Sequence, residues 1–159
     1  MNRRTLVGGA VALTAGLALA GCADSSADKA SDKPELKVAG AFMPVPAMDD
    51  MASGFFTVTN KGAADKLTSV TSSIAEHVTL HSTKNNAMKE QKSFDVPENG
   101  ELDFARGGNH VMFEALKHKP KQGDKVAVTL HFEKSDPVEI EVPVKAATYN
   151  PKSGKHASH

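Results

Sequence analysis

The segments DKVAVTLHF (residues 124–132) and DPVEIEVPV (residues 136–144) decide the architecture. In the first, Val126, Val128, Leu130 and Phe132 recur at every second position; in the second, Val138, Ile140, Val142 and Val144 do so against acidic partners. A period of two puts alternate side chains on opposite faces of an extended chain, so each segment predicts a half-buried strand. The same alternation extends upstream to Leu36 and Val38, to Phe56 and Val58, and to Leu67 and Val70, separated by turn chemistry such as Asn60-Lys61-Gly62. No helix of any length stands out; Ile74-Ala75-Glu76 and Glu114 to Lys117 are expected to form short turns at most. Short strands punctuated by Gly, Pro and Asn, without interleaved helices or internal repeat, predict an all-β antiparallel sandwich or barrel.

The ends read differently. Residues 1–21 join a basic start at Arg3-Arg4 to an apolar run from Leu6 to Ala20, followed by Leu19-Ala20-Gly21-Cys22. This is an export signal ending in a lipobox, too short and too rich in Gly and Ala to argue for a permanent span. Cleavage before Cys22 and lipidation of its thiol are expected; an ordinary secretory signal beside a chance cysteine is the alternative. Sec export is the default, and the paired arginines leave the twin-arginine route open. Residues 22–34 form a polar tether, residues 35–146 the folded domain, and residues 147–159 a tail with nothing to bury.

Cys22 is the only cysteine, so a lipidated chain has no disulfide and no thiolate for catalysis or metal binding. A blue-copper electron carrier, which needs a thiolate beside its histidines, is thereby excluded. Of 19 basic and 19 acidic residues only Arg3 and Arg4 fall in residues 1–21, so the remaining 138 carry a formal charge of −2. Nucleic acid, which demands a clustered basic face, is not an expected partner.

Chemistry concentrates between Val78 and Leu116, where His81, Met88, His110 and Met112 follow the spacing H-x6-M-x21-H-x-M. Alternate residues share a strand face, so His110 and Met112 are expected to point one way, at the rim of the sheet, and Val111 and Phe113 into the core. The Gly107-Gly108-Asn109 turn lets the chain bend just before them. In VTLHS, His81 falls on the polar side with His77 and Thr79. Imidazole and thioether are neutral donors suited to Cu(I), and a thioether cannot be lost to a disulfide outside the cytoplasm. Taken singly, each residue is as readily explained by packing or an ordinary hydrogen bond; the set carries the argument.

The order His, Met, then His-x-Met, with ASGFFTVTNKGAADKLTSVTSSIAEHVTLH upstream and GGNHVMFEALK, GDKVAVTLHFE and VEIEVPV downstream, resembles the PCuAC family of extracytoplasmic copper chaperones across roughly Leu36 to Val144. The resemblance implies a cupredoxin-like, antiparallel Greek-key β-sandwich or barrel that binds Cu(I) through His81, Met88, His110 and Met112. It departs from the family in its shorter first gap and in Glu90, which stands where a second methionine is usual. Met88 keeps the spacing to His110 and is assigned as the ligand. The implied recipient is the copper-centre subunit of a respiratory cytochrome oxidase, reached directly or through a Sco-type protein.

Other candidates are accessory. Met43, Met48 and Met51 lie in a Pro-broken stretch read as a loop and could form a second thioether site or a copper-access surface. His156 and His159 could catch metal in the tail. His77 is a candidate neighbour of the metal; His118 and His131 read as surface histidines, and Asp49, Asp50 and Glu90 as solvated charges. No GxSxG elbow, HExxH helix or phosphate-cradling Gly loop is present, so an enzyme is not expected. The expected protein is a monomeric, lipid-anchored copper chaperone on the extracytoplasmic face of the membrane. Copper sequestration for tolerance and a metal-free interaction module are the alternatives.

Overall fold

The computed structural model describes residues 32–151. Strands β1 (Leu36–Pro44), β2 (Met51–Asn60), β3 (Asp65–Ser72), β4 (Ala75–Lys84) and β5 (Ala87–Gln91) are followed by β6 (Phe94–Val96), β7 (Glu101–Phe104), β8 (His110–Leu116), β9 (Lys125–Phe132) and β10 (Val138–Lys145). Hydrogen-bonded neighbours run β5-β4-β8-β2-β1-β10-β9-β3-β6, with β7 also on β2. The all-β expectation therefore holds, in an open arrangement with β5 and β6 at its edges rather than a closed barrel. Strands β3 and β4 are joined by the two-residue turn Ser73-Ile74 yet pair with β9 and β8, so the chain crosses there between facing layers.

One pair is not antiparallel. Strand β1 leaves β2 after a register shift between Ala39 and Phe42, then runs parallel to β10 through Met43↔Val144 and Pro44↔Lys145. Gly40 sits in the shift at φ 65, a conformation that a residue without Cβ adopts at little cost. A strand that changes sheets at a bulge makes a corner, and this one turns the ladder over the core.

The core is the one the alternation predicts. Val126, Val128, Leu130 and Phe132 are buried, as are Val142 and Val144, while Val138 and Ile140 pack at its margin. Leu67 and Val70 are three residues apart and would face opposite ways on a regular strand; the register shift between Leu67 and Ser69 turns both inward. The short turns expected at Ile74–Glu76 and Glu114–Lys117 are instead strand for the most part. Ala75 and Glu76 open β4 and Glu114 to Leu116 close β8, because cross-strand pairing and burial of Ile74 and Ala75 outweigh weak local preference. Past the expected domain end, Arg106 donates to the carbonyls of Ala147 and Tyr149, and the Tyr149 ring meets Phe42 edge-on at 5.0 Å.

Asp65 fastens β3 to the loop after β9. Its carboxylate accepts from the backbone N–H of Lys66, Lys134 and Ser135 and from the Ser135 hydroxyl at 2.6 Å. Burial pushes the carboxyl pKa up, but the Ser135 hydroxyl and the three backbone donors together outweigh it and hold the group below its ordinary 3.8. A folded-state value below the unfolded one stabilises fully above the unfolded pKa and is lost as pH falls through the folded value. Asp65→Asn is expected to cost about 1.5–3 kcal/mol at neutral pH, the range for hydrogen bonds to a charged group, and less as pH falls below about 4. Denaturant titrations of both proteins from about pH 7 to pH 3 check this; a cost that does not shrink in acid would contradict it.

Candidate metal centre

Three strands carry the site, β4, β5 and β8. Across β4 and β8, His81 lies opposite His110 and Thr79 opposite Met112; across β4 and β5, Thr83 lies opposite Met88 and His81 opposite Glu90. Directly opposed residues share a sheet face, so all of these side chains project together, away from the buried Leu80, Val111 and Phe113. The β4–β5 hairpin fixes Met88 in place. Its two-residue turn, Asn85-Asn86, has φ of 51 and 61, the left-handed pair that a tight hairpin requires and asparagine tolerates.

His110 is only 8% exposed, so it is not the rim residue that strand alternation alone suggests. Its Nδ1 lies 3.1 Å from the carbonyl oxygen of Gly108, which also accepts from the Thr83 N–H. A carbonyl can only accept, so Nδ1 carries the proton, and Nε2 faces the Met88 sulfur at 3.2 Å. The Gly107-Gly108 turn makes this possible, with Gly107 at φ 79 and the Gly108 N–H bonded to Ala105.

The ring of His81 stacks near that of His110, with centroids 5.5 Å apart. Its Nε2 is 2.9 Å from the Thr79 hydroxyl, which in turn donates to Glu114 Oε2 at 3.4 Å. A threonine hydroxyl has one proton; given to Glu114, it leaves an oxygen lone pair that takes the His81 Nε2 proton. The network thus assigns the bare electron pair to Nδ1. That nitrogen is buried and has no hydrogen-bond partner. An orphaned imidazole nitrogen on a ring stacked against His110 fits a metal ligand.

Of the four residues singled out by spacing, the structure sets His110 between Met88, at 3.2 Å from its sulfur, and the stacked ring of His81. Met112 is on the same face, one alternate position along, where its sulfur receives a long 4.0 Å contact from the Ser53 hydroxyl. Among the described residues no three His, Cys, Asp or Glu side chains group as a metal site. Met88 is 56% exposed on the edge strand β5, giving the cluster an open side. Glu90 is exposed opposite His81, and His77 is exposed opposite Glu114. His131 bonds the Thr71 hydroxyl on the outer face of β9, and His118 is exposed, as expected of surface histidines.

The accessory set divides. Met43 is in β1 and fully buried in the core, which corrects its placement in a loop and removes it as an accessible donor. Met51 opens β2, and Met48 alone of the three sits in the connecting loop. Cys22, His156 and His159 lie outside the described residues. Thr79 and Glu114 are the participants that spacing did not flag; their even-numbered offsets from His81 and Met112 on the two strands were the available signal.

An all-β domain with a cluster of imidazoles and a thioether on one sheet face, and no thiolate, defines a class of soft-metal binding domains on a cupredoxin-like scaffold. The chain belongs to the LpqE-like lipoprotein family, which it matches over residues 36–144. It is similar to the apo PCuAC domain from PmoF1, at 29% identity and TM-score 0.65, covering 72% of this chain and 97% of that one. It is also similar to CuI-DR1885 from Deinococcus radiodurans, at 25% identity and TM-score 0.61, covering 79% and 87%. The copper-bound PCuAC domain from PmoF2 shares the fold at 24% identity and TM-score 0.62, covering 70% and 92%. No curated protein matches the chain.

Proposed function

We propose that this protein is an extracytoplasmic copper carrier, not an enzyme, that holds one Cu(I) through His81, Met88, His110 and Met112 and releases it by ligand exchange. The observation that carries the reading is His110, tied through Nδ1 to Gly108 with Nε2 at 3.2 Å from the Met88 sulfur. With the proton on Nδ1, two lone pairs face each other, an arrangement that a soft cation between them makes favourable. Bonds of about 2.0 Å to nitrogen and about 2.3 Å to sulfur, as at zinc, put two tetrahedral ligands about 3.5 Å apart. Small side-chain shifts reach that value. Met112 joins from the same face by rotating about its flexible side chain. The four donors are neutral, which favours Cu(I) over Mg or Ca, and the copper forms named for two structural neighbours support the same metal.

Copper is the cargo. A ligand set without thiolate charge, open on the Met88 side, suits delivery to a partner that offers a thiolate. The family resemblance supports the copper centre of a cytochrome oxidase as recipient, directly or through a Sco-type protein, and Cys22 as the lipid anchor. A strain lacking the protein is expected to lose oxidase activity when copper is scarce and recover it when copper is added. Normal oxidase activity at every copper level, with hypersensitivity to excess, would favour sequestration instead. Cys22→Ser should move the protein out of the membrane fraction; unchanged partition would reject the anchor.

The Thr79 hydroxyl sets which nitrogen His81 presents. Thr79→Val keeps the shape and is expected to lower Cu(I) affinity roughly 10–100-fold, the usual effect of losing an outer-shell partner, with Thr79→Ser restoring most of it. Competition against a chromophoric Cu(I) chelator measures both. Equal affinities in the wild type and Thr79→Val would remove the hydroxyl from the site.

A further inference from the structure

The donor face does not end at Met112. In the β2–β8 register Ser53 lies opposite Met112 and Met51 opposite Glu114, so Met51 is the diagonal neighbour of Met112 on the same face. Diagonal positions lie roughly 7–8 Å apart, within reach of long side chains. The loop between β1 and β2 brings Met48 to the same place. Met48, Met51 and Met112 together line a cleft of about 340 Å³ whose remaining wall is largely apolar, including Pro44, Val45 and Phe55.

Packing accounts for Met43, which is 0% exposed, but not for Met48, which at 57% is the most exposed large apolar side chain among the described residues. Its loop is nevertheless tied down. The Val45 N–H donates to Lys145, the Asp49 carboxylate meets the Lys119 ammonium at 3.0 Å, and the Asp50 carbonyl accepts from the Leu116 N–H. A thioether held open on an anchored loop, lining one cleft with two more, is a donor arrangement for a soft cation.

We propose that Met48, Met51 and Met112 form a second soft-metal station, for Cu(I) or another monovalent d10 cation, sharing Met112 with the His81–Met88–His110 cluster. The inference rests on the copper reading and extends it with a route. An ion held at Met48 and Met51 passes to Met112 and then to the histidines by exchanging one neutral ligand at a time. Copper stays Cu(I) throughout, and thioethers release no proton. Arg106 borders the cleft, held by the Ala147 and Tyr149 carbonyls, and its fixed charge weakens cation binding there. The station therefore fills after the histidine site and is at least about tenfold weaker.

The test is a titration of the full chain, carrying 13C-labelled methionine methyl groups, with Ag(I) as a redox-inert d10 probe. The first equivalent is expected to move the Met88 and Met112 signals and the second to move Met48 and Met51, with Met43 unmoved. In Met48→Leu/Met51→Leu the second step at Met112 disappears while the first remains. In His110→Ala the first step weakens while Met48 and Met51 still respond. Met48 and Met51 signals that stay fixed through three equivalents overturn the station even where the first step is intact. A missing first step in the wild type instead overturns the histidine site, so the two failures are distinct.

Discussion

His110→Ala is expected to reduce Cu(I) affinity by more than about 100-fold, beyond the range typical of outer-shell substitutions. His110 makes three separate contributions to the proposed site. Its Nδ1–H bond to Gly108 fixes the ring, its Nε2 faces the Met88 sulfur, and its ring flanks that of His81. Alanine removes a donor and frees Met88 at once. Because His110 is buried, some loss of stability accompanies the loss of metal, on the order of 1–2 kcal/mol for lost packing and the loss of one of the two hydrogen bonds to the Gly108 carbonyl. That carbonyl keeps its bond from the Thr83 N–H, which limits the damage. His110→Gln keeps polarity and much of the volume, so it separates the two effects: near-native stability with weak copper binding. Chelator competition and thermal melts measure them; wild-type affinity in both variants would remove His110 from the ligand set, and Glu90→Ala should change affinity far less than Met88→Ala.

The largest effect on stability is expected at Phe113, immediately after Met112 and on the other side of the sheet. It is 1% exposed, and its ring lies where a side chain at Gly54 would otherwise project, with an added Cβ only 2.9 Å from Cε2. Truncating a buried phenylalanine costs about 3–5 kcal/mol through lost transfer energy and the cavity left behind. That is a large share of the 5–15 kcal/mol typical of a whole domain. Phe113→Ala should therefore unfold readily in denaturant and lose copper secondarily, since β8 carries His110 and Met112. Gly54→Ala alone should destabilise by forcing the ring aside. In the Phe113→Ala background the same methyl enters the vacated space, so its cost should shrink or reverse, giving a coupling within the 0.5–3 kcal/mol seen for touching residues. Additive losses in the four-protein cycle would mean that the two positions do not share this contact.

The chain by itself determined which residues alternate and which carry soft donors. Val126 to Phe132 and Val138 to Val144 had to be strands with one apolar side, because only a period of two puts those residues on one face. With a single cysteine at position 22 and paired His and Met elsewhere, the metal chemistry was limited to neutral soft ligands. Composition could not say which methionine does what. Met43 and Met48 sit five residues apart in similar surroundings, yet the sheet change of β1 buries one and the loop exposes the other. Only the long-range pairing of β4 with β8 places His81 opposite His110, 29 residues on, and only the left-handed Asn85-Asn86 turn returns Met88 to the same face. The Thr79–Glu114 contact, too, exists because register aligns two strands. Local pattern fixes which face a side chain takes; its neighbours on that face are set by non-local hydrogen bonding, which leaves no mark in the spacing of one segment.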